Sequence, residues 1–205
     1  MKKWTRSPDP EPAAGGSRLS PHAEMLRDRF LAAPVVAAPD PWRPADRPFA
    51  PVGGLTGVGF GLHPDSGRDL LMAVSHNGHG LFDTVTGERI ARDPEGDDPD
   101  GGDLACQGLG PLADSRIRIA GLYGGGLHTT AVGGWSVEVV SPDWPNDRVL
   151  LSGAGGSPYR GAHGEGWWHV FHSAWSELRA FGFSPSGRSL AVATSSDVTL
   201  WTRRA

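Results

Sequence analysis

At 205 residues the chain is long enough for one well-packed core, and its 30 glycines and 18 prolines argue for frequent turns over long helices. A hydrophobic share of 38%, with 8 tryptophans, excludes a chain too poor in apolar surface to fold. A formal charge of −4, from 19 basic and 23 acidic side chains, argues against a phosphate-tracking nucleic-acid binder, and the single Cys106 excludes an intrachain disulfide.

Residues 1 to about 20 read as a flexible tail of Pro, Gly, Ser and charge without periodicity. Lys2 and Lys3 are followed by charges and prolines where a signal peptide needs an apolar core, and no later segment has the roughly 20 apolar residues of a membrane span. The expectation is a cytoplasmic protein without membrane attachment. Next, 20–33 predicts a short helix with Ser20 as N-cap, Pro21 at the first helical position and Glu24 in the first turn. Its docking face would be Met25, Leu26, Phe30 and Leu31. Pro34, Pro39, Pro41 and Pro44 then predict a stiff, extended connector, so that 1–45 stands apart from a single β-rich domain over 46–205.

From about residue 50 the pattern changes to short strands separated by turn residues. In 69–76, Leu70, Met72 and Val74 share one face and Leu71 and Ala73 the other, the signature of an inner strand apolar on both sides. Asn77-Gly78 predicts a tight hairpin whose return strand lies in 79–88. The unit recurs near the end, where Pro185, Ser186 and Gly187 turn the chain into 188–196 and then 197–204. There Leu190 and Val192 would face one layer, while Ala191 and Ala193 permit close approach on the other. Segments 109–124 and 139–153 read as eroded copies. If Pro64, Pro111, Pro142 and Pro185 are equivalent turn positions, the intervals between them are 47, 31 and 43 residues, near the length of a propeller blade.

These residues resemble the WD40-like repeats of β-propellers. Phe183, Ser184, Pro185, Gly187, Leu190, Ala191, Leu200 and Trp201 match the repeat pattern in the last copy. His63, Pro64, Gly67, Leu70, Leu71, Leu81, Phe82, Asp83, Thr86, Gly87 and Glu88 match it in the first. Thr202 stands where the family pattern has Asp. The resemblance implies an all-β, small or incomplete propeller-like fold of about four degenerate repeats. An uncovered sheet edge would invite self-association, or closure through an N-terminal strand.

Chemistry-bearing residues fall into four groups. His76, His79 and Asp83 flank the first hairpin, where they could bind a metal or transfer a proton, against local turn hydrogen bonding as the plain alternative. The loop 93–103, with Asp97, Asp98 and Asp100 among its six acids, offers oxygen ligands for calcium but has no EF-hand register, and a solvated loop is favoured. His163, Glu165 and His169 beside Trp168 could form a hydrolytic or metal site; on a regular strand His169 and His172 would point to opposite faces and could not chelate together without a bulge. Glycine-rich 121–134 lacks the Gly-Lys-Ser/Thr and helix start of a phosphate loop and reads as a wide turn, with Tyr123 and His128 at its rim.

No Gly-x-Ser-x-Gly elbow presents a serine nucleophile, and Cys106 reads as a small buried hydrophobe. Tyr123, His128, Trp144 and Tyr159 are the candidate partner contacts, Trp144 being the most exposed by its setting among Pro142, Asp143, Pro145 and Asn146. Without a convergent catalytic set or a cofactor motif, the reading is a non-enzymatic protein-interaction scaffold, in a narrower form an antitoxin or immunity-like protein masking a basic surface. The alternatives are a hydrolase at 163–172 and a carbohydrate-binding module built on the Trp/Tyr-rich middle.

Overall fold

The computed structural model describes residues 19–99 and 102–203, so the expected tail lies almost entirely outside the described residues. The expected all-β class with one short N-terminal helix is what the chain adopts. Helix α1 spans Pro21–Ala32. Ser20 caps it, its side chain accepting from the Ala23 amide at 3.2 Å, and Pro21 occupies a position that needs no amide donor. Leu26, Phe30 and Ala33 form the docking stripe, whereas Met25 turns outward at 53% exposure. The expected face is thus rotated toward an i, i+4, i+7 set.

In chain order the strands are β1 Trp42–Pro51, β2 Leu55–Leu62, β3 Asp69–Ser75, β4 Gly78–Asp83, β5 Arg89–Asp93, β6 Ala105–Gln107, β7 Arg116–Arg118 and β8 Ala120–Gly121. They continue as β9 Thr130–Ala131, β10 Trp135–Asp143, β11 Asn146–Ser152, β12 Trp167–Ser173, β13 Leu178–Phe183, β14 Ser189–Thr194 and β15 Asp197–Arg203. Three antiparallel meanders result: a first sheet in the order β5-β4-β3-β2-β8, a middle sheet β12-β11-β10-β9 and a last sheet β1-β15-β14-β13, with β6 and β7 as a separate ladder. The strand β1 begins inside the proline-rich connector and adds to the C-terminal strand, Trp42 opposite Arg203 and Pro51 opposite Asp197. Its prolines are tolerated because it is an edge strand, and between them the Asp46 and Arg47 amides donate to the Val85 and Thr86 carbonyls at 3.0 and 2.9 Å.

The two repeat units behave as their sequences predict. All residues of β3 and of β14 are buried, and Gly67 and Gly187 turn into them with φ of +63° and +69°. The β3–β4 hairpin forms where expected but turns one residue earlier than the Asn77-Gly78 pair suggests: Ser75 pairs with Gly78 across His76 and Asn77, and Gly78, at φ +92°, opens β4. The proline series fares otherwise. Pro64 and Pro185 lie in corresponding first-to-second strand turns, but Pro111 lies in a 3-10 turn, Gly110–Leu112, and Pro142 lies inside β10 near the second-to-third strand turn. Those intervals therefore do not measure a repeat period.

Four apolar clusters order the layers. Leu70, Met72 and Val74 of β3 pack on Cys106, Ile117 and Ile119, while Leu71 and Ala73 on its other face meet Ala191 and Ala193 of β14. Leu190 and Val192 in turn meet Val137, Val149 and Leu151 of the middle sheet, and the far face of that sheet is covered by α1 through Phe30 and Trp167. The stack runs from the β6–β7 ladder through the first, last and middle sheets to α1. Glycines set one spacing: a Cβ on Gly59 would strike the Arg118 carbonyl, and one on Gly57 would come within 2.8 Å of the Ala120 carbonyl. Alternate glycines on one face of β2 are what let residues 116–121 lie directly against it. Among the described residues no helix is long and apolar enough to cross a membrane.

Candidate functional site

Register places two tryptophans side by side. In the middle sheet Asp143 pairs with Asn146 across the β10–β11 turn, and Asp147 pairs with Ser173 at the end of β12. The β10–β11 turn and the β12–β13 connection therefore leave the sheet at the same end. Trp144 tops the first at 83% exposure, and Trp175 tops the second at 99%. Between them lies a groove of about 530 Å³ that Asn146, Asp147, Ser176 and Glu177 also line.

The turns are fixed from below. Asp143 accepts from Asn146 Nδ2 at 3.3 Å and faces Arg148 Nε at 3.4 Å, with the Arg148 side chain only 10% exposed. Desolvation opposes ionisation of Asp143, but the hydrogen bonds from Arg148 and Asn146 outweigh it and hold the carboxyl below its ordinary value. Asp147 accepts from Ser141 Oγ at 2.5 Å. Ser173 Oγ donates to the Ser176 carbonyl, and Ser176 Oγ lies 2.6 Å from Ser196 Oγ, which ties the Trp175 loop to the last sheet. Glu177 pairs with Arg179 at 2.8 Å; its own side chain is 70% exposed and that of Arg179 only 16%. The Arg148 and Arg179 cations beneath the groove are thus sunk, while Glu177 stands outermost and Asp147 is half-buried. The surface offered is aromatic and acidic.

The residues singled out in 163–172 take structural positions. One extra residue, Val170, interrupts the β11–β12 register, so that Leu150 faces His169 and Val149 faces Phe171. This bulge changes the parity expected of a regular strand and brings the His169 and His172 rings to 5.9 Å between centroids. His169 is buried, with Nδ1 at 2.9 Å from the Ala33 carbonyl and Nε2 at 3.1 Å from the Phe171 carbonyl. His163 accepts the His169 amide at Nε2, 3.3 Å, and stacks edge-on against Trp167. Burial lowers the pKa of both His163 and His169. Glu165 is exposed.

In the first sheet His76 is exposed, while His79 and Asp83 are buried near opposite ends of β4. Four residue steps along the strand set them about 13 Å apart. Asp83 pairs with Arg68 at 3.0 Å, and its Oδ1 accepts the Val85 and Thr86 amides, the local turn bonding weighed from sequence. Asp97 and Asp98 line a cavity of about 440 Å³ with His79 and Cys106; Asp100 lies outside the described residues. Among the described residues no three His, Cys, Asp or Glu side chains converge to hold a metal. Burial pushes the Cys106 thiol up to about 11, so it is a protonated, poor nucleophile near neutrality.

Of the tyrosine and tryptophan contacts expected from sequence, Trp144 is the most exposed. Tyr159 is half-exposed, its hydroxyl donating to Glu138 at 2.7 Å and its ring edge-on to Phe30; the Glu138 hydrogen bond, with burial, raises its phenol to about 12. Tyr123 is 46% exposed, and His128 is exposed with its backbone carbonyl accepting the Phe183 amide. Trp175, Asp147 and Glu177 are the groove residues that sequence reading missed. Their available signal was Trp175 set among small and polar residues, Ser173, Ala174, Ser176 and Glu177, directly after a strand. No protein-family model, no curated protein and no solved structure matches the chain.

Proposed function

We propose that this chain is a non-enzymatic recognition scaffold, propeller-like in the manner of the WD40-like repeats its two clear units resemble, and that it takes a cationic protein partner on the Trp144–Trp175 groove. The observation that carries this reading is the pair of tryptophans, 83% and 99% exposed, on two pinned turns at one end of one sheet. Each tryptophan can bury roughly 150 to 250 Å² in a contact, and large exposed aromatic surface marks interaction sites. Asp147 and Glu177 supply the sign of the partner. A guanidinium or ammonium group laid on the rings gains a cation–π contact and a carboxylate together.

This supports the narrower reading of an immunity-like protein that masks a basic surface. The hydrolase alternative draws less support, because both ring nitrogens of His169 face backbone carbonyls. Isothermal titration with an arginine-rich peptide, a glutamate-rich peptide and a neutral oligosaccharide tests the proposal. Saturable binding of the arginine-rich peptide is expected, weakened at least tenfold by Trp175→Ala and reduced by salt. Oligosaccharide binding with silence from the arginine-rich peptide would replace the reading with carbohydrate recognition, and unchanged peptide affinity in a Trp144→Ala/Trp175→Ala variant would remove the groove from it.

A further inference from the structure

The glycine-rich segment 121–128 is not absorbed by the tryptophan groove, and it borders a different cavity, of about 370 Å³, between the first and last sheets. Its apolar surface comes from the half-buried Phe60 and Leu127, with Ile119 and Phe183 buried behind them. Its wall carries Arg116, Arg118 and His128. The two arginines share a face because burial alternates along 116–119, with Ile117 and Ile119 packed inward and both arginines exposed. Arg116 is engaged by Asp103 at 2.9 Å and by the Ala105 carbonyl at 3.1 Å, whereas Arg118 has no ion pair or hydrogen-bond acceptor among the described residues.

The opposing loop is built against this wall. The Phe183 amide donates to the His128 carbonyl at 2.7 Å, and Gly125, at φ +78°, lies so close that a Cβ there would come within 2.8 Å of the Ile119 carbonyl. We infer that this cavity is a binding site for a small amphipathic anion, a carboxylate or phosphate carrying an aromatic or apolar body, with Arg118 holding the head group and Phe60 and Leu127 contacting the body. Arginine suits the head group because its planar fork matches both anions bidentately. The volume lies within the range of small-ligand pockets, which combine mostly apolar walls with a few placed polar groups. The absence of a helix start, which excludes a phosphate loop, does not exclude this site: a side-chain cation supplies the charge that a helix N-terminus would.

Titration calorimetry at low salt with phenyl phosphate, benzoate, phenol and inorganic phosphate tests the inference. Saturable binding is expected for phenyl phosphate or benzoate, at least tenfold weaker for inorganic phosphate, and none for phenol. Arg118→Gln should weaken it at least tenfold while leaving the thermal midpoint near that of the parent, because Arg118 is exposed. Gly126→Leu, at a position where a Cβ meets nothing within 4 Å, should occlude the cavity with a similar loss. Failure of both aromatic anions to saturate the folded parent overturns the inference, as does equal affinity in the parent, Arg118→Gln and Gly126→Leu. Phenol binding as tightly as phenyl phosphate would remove the role of the anion. Trp175→Ala should leave anion binding unchanged, so this site and the tryptophan groove stand or fall separately.

Discussion

The first and last repeats share a sequence pattern yet meet as complements rather than copies. Following the turn glycines, Asp69 opens β3 and Ser189 opens β14. The two residues touch: Ser189 Oγ donates to Asp69 Oδ2 at 2.8 Å, joined by Ser184 Oγ at 2.8 Å and Ser186 Oγ at 2.7 Å. One repeat supplies an acceptor-only carboxylate and the other a set of hydroxyl donors, which secures a buried contact between sheets that two carboxylates could not form. A second divergence lies one strand earlier. Five residues before the turn proline the first copy has Gly59 in β2, opposite Met72, where the last copy has Ala180 in β13, opposite Ala193; only Gly59 lies against the Arg118 carbonyl.

The sharpest way to break this comparison is to exchange those residues. Gly59→Ala should cost about 2 kcal/mol, since the new methyl meets backbone that cannot move without lifting residues 116–121 from the sheet. Ala180→Gly should cost only about 1 kcal/mol, from chain entropy and a little lost burial. Urea unfolding measures both, and equal losses would mean that the glycines of β2 do not set the spacing.

Next in size is the bridge itself. Asp69→Ala leaves three hydroxyls without their acceptor and should cost about 1.5 kcal/mol, with Asp69→Asn milder because its amide oxygen still accepts. A neutral Asp69→Ala would show that the serines re-pair without loss.

The middle sheet should differ from both repeats in its response to acid. Burial lowers the pKa of His163 and His169, so the unfolded chain takes up protons first as pH falls below about 6.5. The stability contributed by the neutral rings is full above that pH and is lost as pH falls toward the folded-state values. Urea midpoints at pH 7.5 and 5.5 should therefore decline, and His169→Gln should flatten the slope; an unchanged slope would put the acid sensitivity elsewhere. The smallest expected effect is that of Trp175→Ala on stability, within about 0.5 kcal/mol, since its ring is 99% exposed. A larger loss would make that ring part of the core and weaken the case for a binding surface.

Local sequence determined the parts of the protein whose causes are local. Ser20 and Pro21 specify where α1 begins, Asn77-Gly78 specifies the hairpin to within one residue, and the alternation of Leu70, Met72 and Val74 with Leu71 and Ala73 specifies a strand buried on both faces. Trp144 was legible as exposed because its turn residues leave a large ring nothing to pack on.

Tertiary structure alone decided the rest. An N-terminal strand on an open sheet edge is foreseeable from the repeat pattern, but its partner and register are not, since the β1–β15 pairing joins residues from 146 to 161 positions apart. One bulged residue, Val170, reverses the side on which His172 lies relative to His169, a change of parity that composition does not encode. The alliance of Trp144 with Trp175 depends on strand register, and the meeting of Arg118 with the glycine loop depends on how closely β2 lets 116–121 approach. Turns and strand faces follow from a few neighbouring side chains. The two candidate sites follow from which sheet ends and loops the packing sets beside one another.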